Sequence, residues 1–123
     1  MAVSTVEIPR DTWQPFFNDL GRAYRGWATT IEVVGGGYGA HPRVDGVPLQ
    51  GMSYEYKGGS QAGDVLIEAG DAGTPYEVHR VPKPRAVRAA PTQPGGETDV
   101  EIESDEGFIH IVRIRARPEL PSA

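Results

Sequence analysis

Cysteine is absent from this sequence of 123 residues. Its absence excludes disulfides, cysteine-ligated zinc and thiol nucleophiles together. Long apolar runs are missing too. No stretch approaches the roughly 20 apolar residues of a membrane-spanning helix, and the first residues carry neither the basic segment nor the apolar run of a signal peptide. These absences predict a cytoplasmic protein that folds without disulfides and does not enter a membrane.

Positive charge is scarce relative to negative charge. Twelve Lys and Arg residues stand against seventeen Asp and Glu residues, which gives a net charge of −5 at pH 7. A protein of net negative charge is repelled by nucleic-acid phosphates and by anionic lipids. The sequence therefore predicts neither a nucleic-acid partner nor a membrane partner.

One segment, residues 11–25, carries apolar residues at a helical period. Five of them share one face of a helix: Trp13, Phe16, Phe17, Leu20 and Tyr24. Asp11 or Thr12 is suited to the N-cap of this helix, and Gly26 is suited to end it. Four of the five residues are aromatic, in a chain with only ten aromatic residues, so this face is expected to supply much of the core.

Most of the remaining chain alternates apolar and polar residues between turns rich in glycine and proline, which is typical of strands. The chain has the length of one domain. We therefore predict an α+β fold in which an N-terminal amphipathic helix packs on a strongly curved antiparallel sheet of six or seven strands, with enough curvature to close as a barrel. The predicted parts of this single domain, 1–123, are an N-terminal arm (1–8), the helix (11–25), the sheet (27–116) and a C-terminal tail (117–123).

A glycine-rich stretch, residues 35–39, follows the first predicted strand. A dinucleotide-binding loop would have to open a helix, whereas this stretch runs into His41-Pro42, so we interpret it as a hairpin loop. Asp45-Gly46, a few residues later, is one of the strongest two-residue hairpin signals. It predicts a second hairpin, in which residues 40–44 pair with the segment that begins at residue 47.

The last predicted hairpin has the best-defined register. Residues 104–108 suit a three-residue loop in which Gly107 adopts the left-handed conformation. That loop pairs Ile102 with His110 and Val100 with Val112. On the other face it sets acidic residues of one strand opposite arginines of the next, and such pairs stabilise a sheet.

The same register exposes a mixed surface on the other face of the last strand. Two isoleucines and two arginines form it: Ile109, Ile111, Arg113 and Arg115. An apolar spot inside a polar rim suits a self-complementary interface, so one interpretation is a homodimer or a contact with another protein. The other interpretation is that the sheet itself closes over the isoleucines, which requires no partner.

Three short motifs occur in a fixed order along the chain. They are Ile-Pro-Arg followed by a tryptophan at 8–13, Pro-Leu-Gln-Gly at 48–51 and Glu-Ile-Glu-Ser before a glycine at 101–107. With these motifs the sequence resembles a family of short, stand-alone bacterial and archaeal proteins classed as a domain of unknown function. The resemblance implies a compact cytosolic domain and covers nearly the whole chain. It implies no activity, so no catalytic residue follows from it.

The three histidines, His41, His79 and His110, are the candidate metal ligands and acid–base groups. None has a second ligand at a recognised metal-binding spacing, so we predict separate structural roles for them, with no metal and no cofactor. The hairpin register turns His110 inward, where its ring must find a hydrogen-bonding partner. Tyr54, Tyr56 or an acidic residue could serve as that partner.

Residues 80–88 carry four positive charges, and no acidic residue lies between Glu77 and Glu97. A basic edge strand that contains proline protects a sheet against aggregation, and this is the interpretation that we favour. Such a strand can also bind an acidic peptide or a phosphate-rich partner. Pairing with the acidic strand 97–103, within one sheet or between two copies, is a third interpretation.

No nucleophile, metal set or cofactor loop emerges from the sequence, so no catalytic residue is predicted. The leading hypothesis is a non-enzymatic binding or assembly module. The rival is a small-ligand pocket or an enzyme site between helix and sheet, lined by Trp13, Trp27, Tyr54, Tyr56 and His110. A filled space between helix and sheet would favour the first hypothesis, and a cavity of several hundred Å³ with convergent polar groups would favour the second.

Overall fold

The computed structural model describes residues 5–35, 40–56, 63–71, 74–90 and 96–116, with all their side chains except those of residues 40–44, 56 and 74–76. The helical part is a 3-10 turn, Arg10–Thr12, followed by one α-helix, α1 (Trp13–Ala23). The strands are β1 (Val6–Glu7), β2 (Ala28–Val34), β3 (Ala40–Tyr56), β4 (Gly63–Asp71), β5 (Thr74–Pro82), β6 (Pro84–Ala89), β7 (Thr98–Ser104) and β8 (Ile109–Arg115). No helix in these ranges has the length and apolar content needed to cross a membrane.

The eight strands form one antiparallel sheet in the order β1-β6-β7-β8-β2-β3-β4-β5. The predicted α+β class, with one helix on an antiparallel sheet, is confirmed. There is one strand more than the predicted six or seven, since the N-terminal arm contributes the two-residue β1, which pairs with β6. The sheet is not closed into a barrel, because β1 and β5 remain its two edges.

The helix presents its aromatic face to the sheet. Trp13 and Phe17 are buried, Tyr24 is 7% exposed, and Phe16 and Leu20 are half-buried. The α-helix is shorter than the predicted 11–25 at both ends, because residues 10–12 form the 3-10 turn and the last helical residue is Ala23. Thr12 occupies the N-cap position, but its hydroxyl donates a hydrogen bond to the carbonyl of Pro9 (2.8 Å) and leaves the helical N–H groups uncapped. Gly26 follows the helix with a φ of 88°, as expected of a glycine that ends a helix.

The Asp45-Gly46 signal does not form a hairpin. Both sides of it belong to the single strand β3, in which Val44 pairs with Ile31 and Val47 pairs with Thr29 of the same neighbour. Only one residue of β2 therefore faces two residues of β3, which makes the site a β-bulge. Gly46 has a φ of 66°, a left-handed conformation that glycine adopts easily. Bulges and tight turns both use this conformation, so the same dipeptide suits either one.

The final hairpin has the predicted register. Ile102 pairs with His110 and Val100 with Val112, and Gly107 has a φ of 89°. The backbone N–H of Ser104 donates to the carbonyl of Phe108 at 2.8 Å and closes the loop. The prediction was correct here because a turn and an alternating pattern specify the same pairing.

The sheet curls so strongly that strands far apart in its order approach each other. Lys83, with a φ of 47°, separates β5 from β6, so that β5 pairs with β4 while β6 pairs with β7. The backbone N–H of Asp105, in the turn after β7, donates to the carbonyl of Lys83 at 2.9 Å. The last hairpin is therefore held against the end of β5.

The basic segment 80–88 pairs with the acidic strand within the sheet. Arg88 forms salt bridges with Glu101 (3.3 Å) and Glu103 (3.1 Å), and Arg85 forms one with Glu103. The hydrogen bond from Arg85, followed by that from Arg88, lowers the pKa of Glu103 below its ordinary value. Of the three interpretations of this segment, the structure has the third: the segment pairs with the acidic strand 97–103 within one sheet. β6 is flanked by β7 on one side and by the short β1 on the other.

Candidate functional site

A cavity of about 360 Å³ lies between β5 and the β7–β8 hairpin. It is lined by Val33, His79, Arg80, Pro82, Ser104, Glu106, Phe108 and His110, and we call it the imidazole cavity. It exists because the sheet curls without closing, which leaves room at the end of the core where β5 and β8 converge. Its volume falls within the range of small-molecule sites, about 300–1,000 Å³.

Two histidine rings meet in this cavity. His79 Nε2 lies 2.9 Å from His110 Nδ1, and the ring centroids are 5.1 Å apart with 57° between the ring planes. At this distance one nitrogen carries the hydrogen and donates it while the other accepts. The pair therefore brings a hydrogen-bond donor and an acceptor together at one point of the cavity wall.

The backbone explains why these rings converge. His110 pairs with Val33 of β2 and with Ile102 of β7, and this places it on the core face of the sheet, where it is 8% exposed. His79 pairs with Ile67 of β4, also on the core face, and is half-buried. Three strands, β2, β3 and β4, lie between β8 and β5 in the sheet order, so only the curl of the sheet brings the two rings into contact.

The rest of the lining is part apolar and part polar. Val33, Pro82 and Phe108 supply apolar surface, and the buried hydroxyl of Ser104 accepts a hydrogen bond from the backbone N–H of Phe108 at 3.3 Å. That hydroxyl still has its own hydrogen to donate. Glu106 is an exposed residue in the turn of the hairpin.

Arg80 is the cationic residue of the lining, and its charge is neutralised locally. Its Nη1 lies 3.0 Å from Oδ2 of Asp64 on the neighbouring strand β4. The charged residues of the lining, Arg80 and Glu106, sum to a formal charge of zero when the imidazoles are neutral. The described lining does not form a cationic anion-binding pocket.

The residues predicted to line a pocket between helix and sheet occupy different places. The ring of Trp13 packs edge-to-face on Tyr54 with centroids 5.4 Å apart, and both residues are buried. Trp27 packs in the same way on Tyr24 at 4.9 Å, near the end of the helix. Of the predicted set, His110 alone among the described side chains lines the imidazole cavity; the side chain of Tyr56 lies outside the described residues.

The sequence did not identify His79 as the partner of His110. The sequence analysis names Tyr54, Tyr56 or an acidic residue as possible partners of His110. Its prediction of separate roles for the histidines is wrong for His79 and His110, whose rings are in contact. The main chain of His41 pairs with Val33, but the side chain of His41 lies outside the described residues. Within the described part of the chain, no group of three or more His, Cys, Asp or Glu side chains is close enough to hold one metal ion.

The predicted interface residues lie on the outer face of β8. Ile109 and Ile111 are half-buried, since β2 and β7 flank them on either side. Arg113 forms a salt bridge with Glu32 of β2, and Arg115 contacts Asp99 of β7 at 2.8 Å, an interaction that raises the pKa of Arg115. Both arginines thus have partners inside the sheet, and the role of this surface in a dimer stays a prediction.

A smaller groove of about 260 Å³ runs between α1 and β3. Its lining includes Arg22, Arg25 and Gln50. Arg22 pairs with Asp19 one turn earlier at 2.5 Å, and the side chain of Gln50 donates to the carbonyl of Gly70. Because its polar groups mainly serve contacts within the protein, this groove is the weaker candidate for a ligand site.

Comparison with known proteins places the chain in a family without a known function. An uncharacterised protein of Aquifex aeolicus (strain VF5) is 27% identical over 119 residues, which cover 97% of this chain and 99% of that protein. No solved structure matches the chain. Residues 4–123 match the family described as "Family of unknown function (DUF5335)", which confirms the resemblance seen in the sequence. The chain belongs to this family of unknown function, DUF5335.

Proposed function

We propose that this domain is a binding module for a small organic molecule and that the imidazole cavity is its site. The observation that carries the proposal is the contact of His79 Nε2 with His110 Nδ1, 2.9 Å apart, in the wall of a cavity of about 360 Å³. The proposal takes up the small-ligand alternative of the sequence analysis, keeps His110 from its predicted lining and moves the site away from the helix.

The lining suggests what such a molecule looks like. Phe108, Val33 and Pro82 offer apolar contact to a ring or a short hydrocarbon chain. The two imidazoles and the Ser104 hydroxyl offer donors and acceptors to one polar group. Binding sites of this kind combine apolar walls with a few placed polar groups. A monocyclic compound with one uncharged polar substituent, a hydroxyl or an amide, fits this description.

The test uses the protein in the presence of EDTA and two defined probes, phenol and benzamide. Two-dimensional NMR spectra of the histidine rings and of the backbone amides are recorded during titration with each probe. We expect at least one probe to shift the ring signals of His79 and His110 together with the amide of Phe108, because all three residues line the same cavity.

Two variants and a control make the result specific. Phe108→Leu removes the aromatic wall and His110→Gln removes one imidazole, so each is expected to weaken binding of the responsive probe at least fivefold. Val78→Thr is the control, because Val78 precedes His79 in β5 but is 49% exposed and faces away from the cavity. Shifts confined to residues outside the lining, or binding that is equal in all variants, would contradict the proposal.

A further inference from the structure

We propose that the molecule bound at the imidazole cavity is part of a polypeptide: an extended, basic segment that pairs with the free edge of β5 and places a tyrosine side chain in the cavity. The inference rests on the proposed function, because it uses the same cavity and names the class of its ligand. It draws on a second feature of the fold, which is the strand edge beside the cavity.

β5 is one edge of the sheet, since β4 is its neighbour on one side and the strand order of the described residues ends with it. The N–H of Lys83 donates to the carbonyl of Gly63 at 3.1 Å, and these two residues continue the register of the β4–β5 ladder. Opposite residues of an antiparallel ladder alternate between pairs that bond to each other and pairs whose backbone groups point away. The N–H and C=O groups of Val78 and Arg80 therefore point away from β4.

The edge that β5 offers is long and partly apolar. The other edge of the sheet, β1, has only two residues, and a short edge strand gives little room for a further strand. β5 has nine residues, and its central residue, Val78, is 49% exposed. Such an edge is a template for an added strand, in which backbone hydrogen bonds give affinity and side-chain pockets give specificity.

The cavity lies beside this edge. After Lys83 the chain pairs with β7 instead of β4, and the N–H of Asp105 in the following turn donates to the carbonyl of Lys83. From that point β8 diverges from β5, because β8 pairs with β2. The cavity occupies the fork, with Pro82 in its lining from β5 and Phe108 from the hairpin. A strand added to β5 therefore runs next to the cavity.

The alternation of side chains selects one residue of the added strand. Its residues opposite Val78 and Arg80 bond to β5 and turn their side chains to the outer face. The residue between them lies opposite His79 and shares its face, which is the face of the cavity. Tyrosine suits this position because its side chain is a phenol. Its ring can contact Phe108, and its oxygen can accept the hydrogen of the Ser104 hydroxyl.

The charges near the edge favour a basic segment. Glu77 of β5 and two residues of the hairpin turn, Asp105 and Glu106, are exposed carboxylates that form no salt bridge with another described residue. The exposed ammonium of Lys83 balances only one of them. On an antiparallel segment, the residue two positions after the tyrosine lies opposite Glu77, so lysine is favoured there.

The experiment titrates the protein with acetyl-Thr-Tyr-Val-Lys-Thr-amide, in which the tyrosine and the lysine have this spacing. Amide hydrogen exchange and two-dimensional NMR spectra are recorded with and without the peptide. We expect at least tenfold slower exchange of the Val78 and Arg80 N–H groups and a shift of the Phe108 amide. The odd-numbered residues of β5 already bond to β4, so their exchange should change less.

Altered peptides separate the edge contact from the cavity contact. Alanine in place of the tyrosine should weaken binding at least tenfold. N-methylation of the valine removes the N–H that faces the carbonyl of Val78 and should weaken binding at least tenfold as well. N-methylation of the lysine is the matched control, because that N–H points away from β5, and it should change the affinity by less than about threefold. Glutamate in place of the lysine should weaken binding at least threefold at low ionic strength.

One variant of the protein tests the same edge. Val78→Pro removes an N–H that points away from β4, so no bond within the sheet is lost, and it should weaken peptide binding at least tenfold. Val78→Thr keeps this N–H and should restore binding to within about twofold of the parent protein. Circular dichroism verifies the fold; if Val78→Pro is unfolded, the two N-methylated peptides carry the test.

Equal binding of the two N-methylated peptides, or unchanged exchange at Val78 and Arg80, would overturn the proposal. Equal binding of the alanine peptide would do so too, because the segment would then use the edge without the cavity. Exchange at these amides that slows with protein concentration in the absence of peptide would assign the edge to a second copy of the chain. If phenol binds in the cavity but the peptide does not bind, this inference fails and the proposed function stands; if neither binds, both fail.

Discussion

Replacing Phe17 with alanine is expected to lower the free energy of unfolding by about 3–5 kcal/mol. Phe17 is fully buried at the centre of the aromatic face of α1, and its ring packs edge-to-face on Phe16 with centroids 5.2 Å apart. Alanine would leave a cavity that the sheet beneath cannot collapse to fill, since strands are fixed by their ladders. Urea unfolding followed by tryptophan fluorescence measures the loss.

Phe16→Ala is the matched control, because it removes the same side chain from a half-buried position one residue earlier. Phe16→Ala should lower the free energy of unfolding clearly less than Phe17→Ala does. If Phe17→Ala costs less than about 1 kcal/mol, the helix does not supply the core contact assigned to it.

The second large effect concerns the close approach of the helix to the sheet. A Cβ atom added to Gly21 would lie 2.6 Å from the backbone nitrogen of Met52 in β3, and a backbone atom of a central strand cannot move aside. In an exposed helix, replacement of glycine by alanine stabilises by about 1 kcal/mol. At Gly21 we expect the opposite sign, a loss of about 1–3 kcal/mol, because the helix must shift away from β3.

Asn18→Ala, on an exposed position of the same helix, is the control and should show little change or a small gain in stability. Both variants can be compared by the midpoint of urea unfolding. A gain in stability for Gly21→Ala would mean that the helix does not lie as close to β3 as the structure has it.

Much of the fold could be predicted from local patterns. The helical spacing of the aromatic residues in α1 and the register of the last hairpin each depend on residues close together in the sequence. The helix and the register predicted from them are both confirmed. Asp45-Gly46 was predicted wrongly because its left-handed preference suits a bulge as well as a turn, and only the pairing of both flanks with β2 decides between them.

The candidate site depends on longer-range structure. The alternation of apolar and polar residues along β5 and β8 is enough to predict that His79 and His110 lie on the core face. It does not predict that these two strands come close to each other. Their contact arises from the curl of the sheet and from the junction at Lys83, where the backbone takes a φ of 47°. Pro82 and Pro84 on either side of Lys83 indicate an interruption of the strand. They do not indicate the left-handed backbone at Lys83, since lysine has no preference for that conformation.

The contact between the two imidazoles is the central claim, and nuclear Overhauser spectroscopy of the histidine rings tests it most directly. With ring centroids 5.1 Å apart and nitrogens at 2.9 Å, we expect cross-peaks between ring protons of His79 and His110 that vanish in His79→Gln, together with one slowly exchanging imidazole N–H. Two rings that show no mutual cross-peak, each with rapidly exchanging N–H protons, would contradict the account.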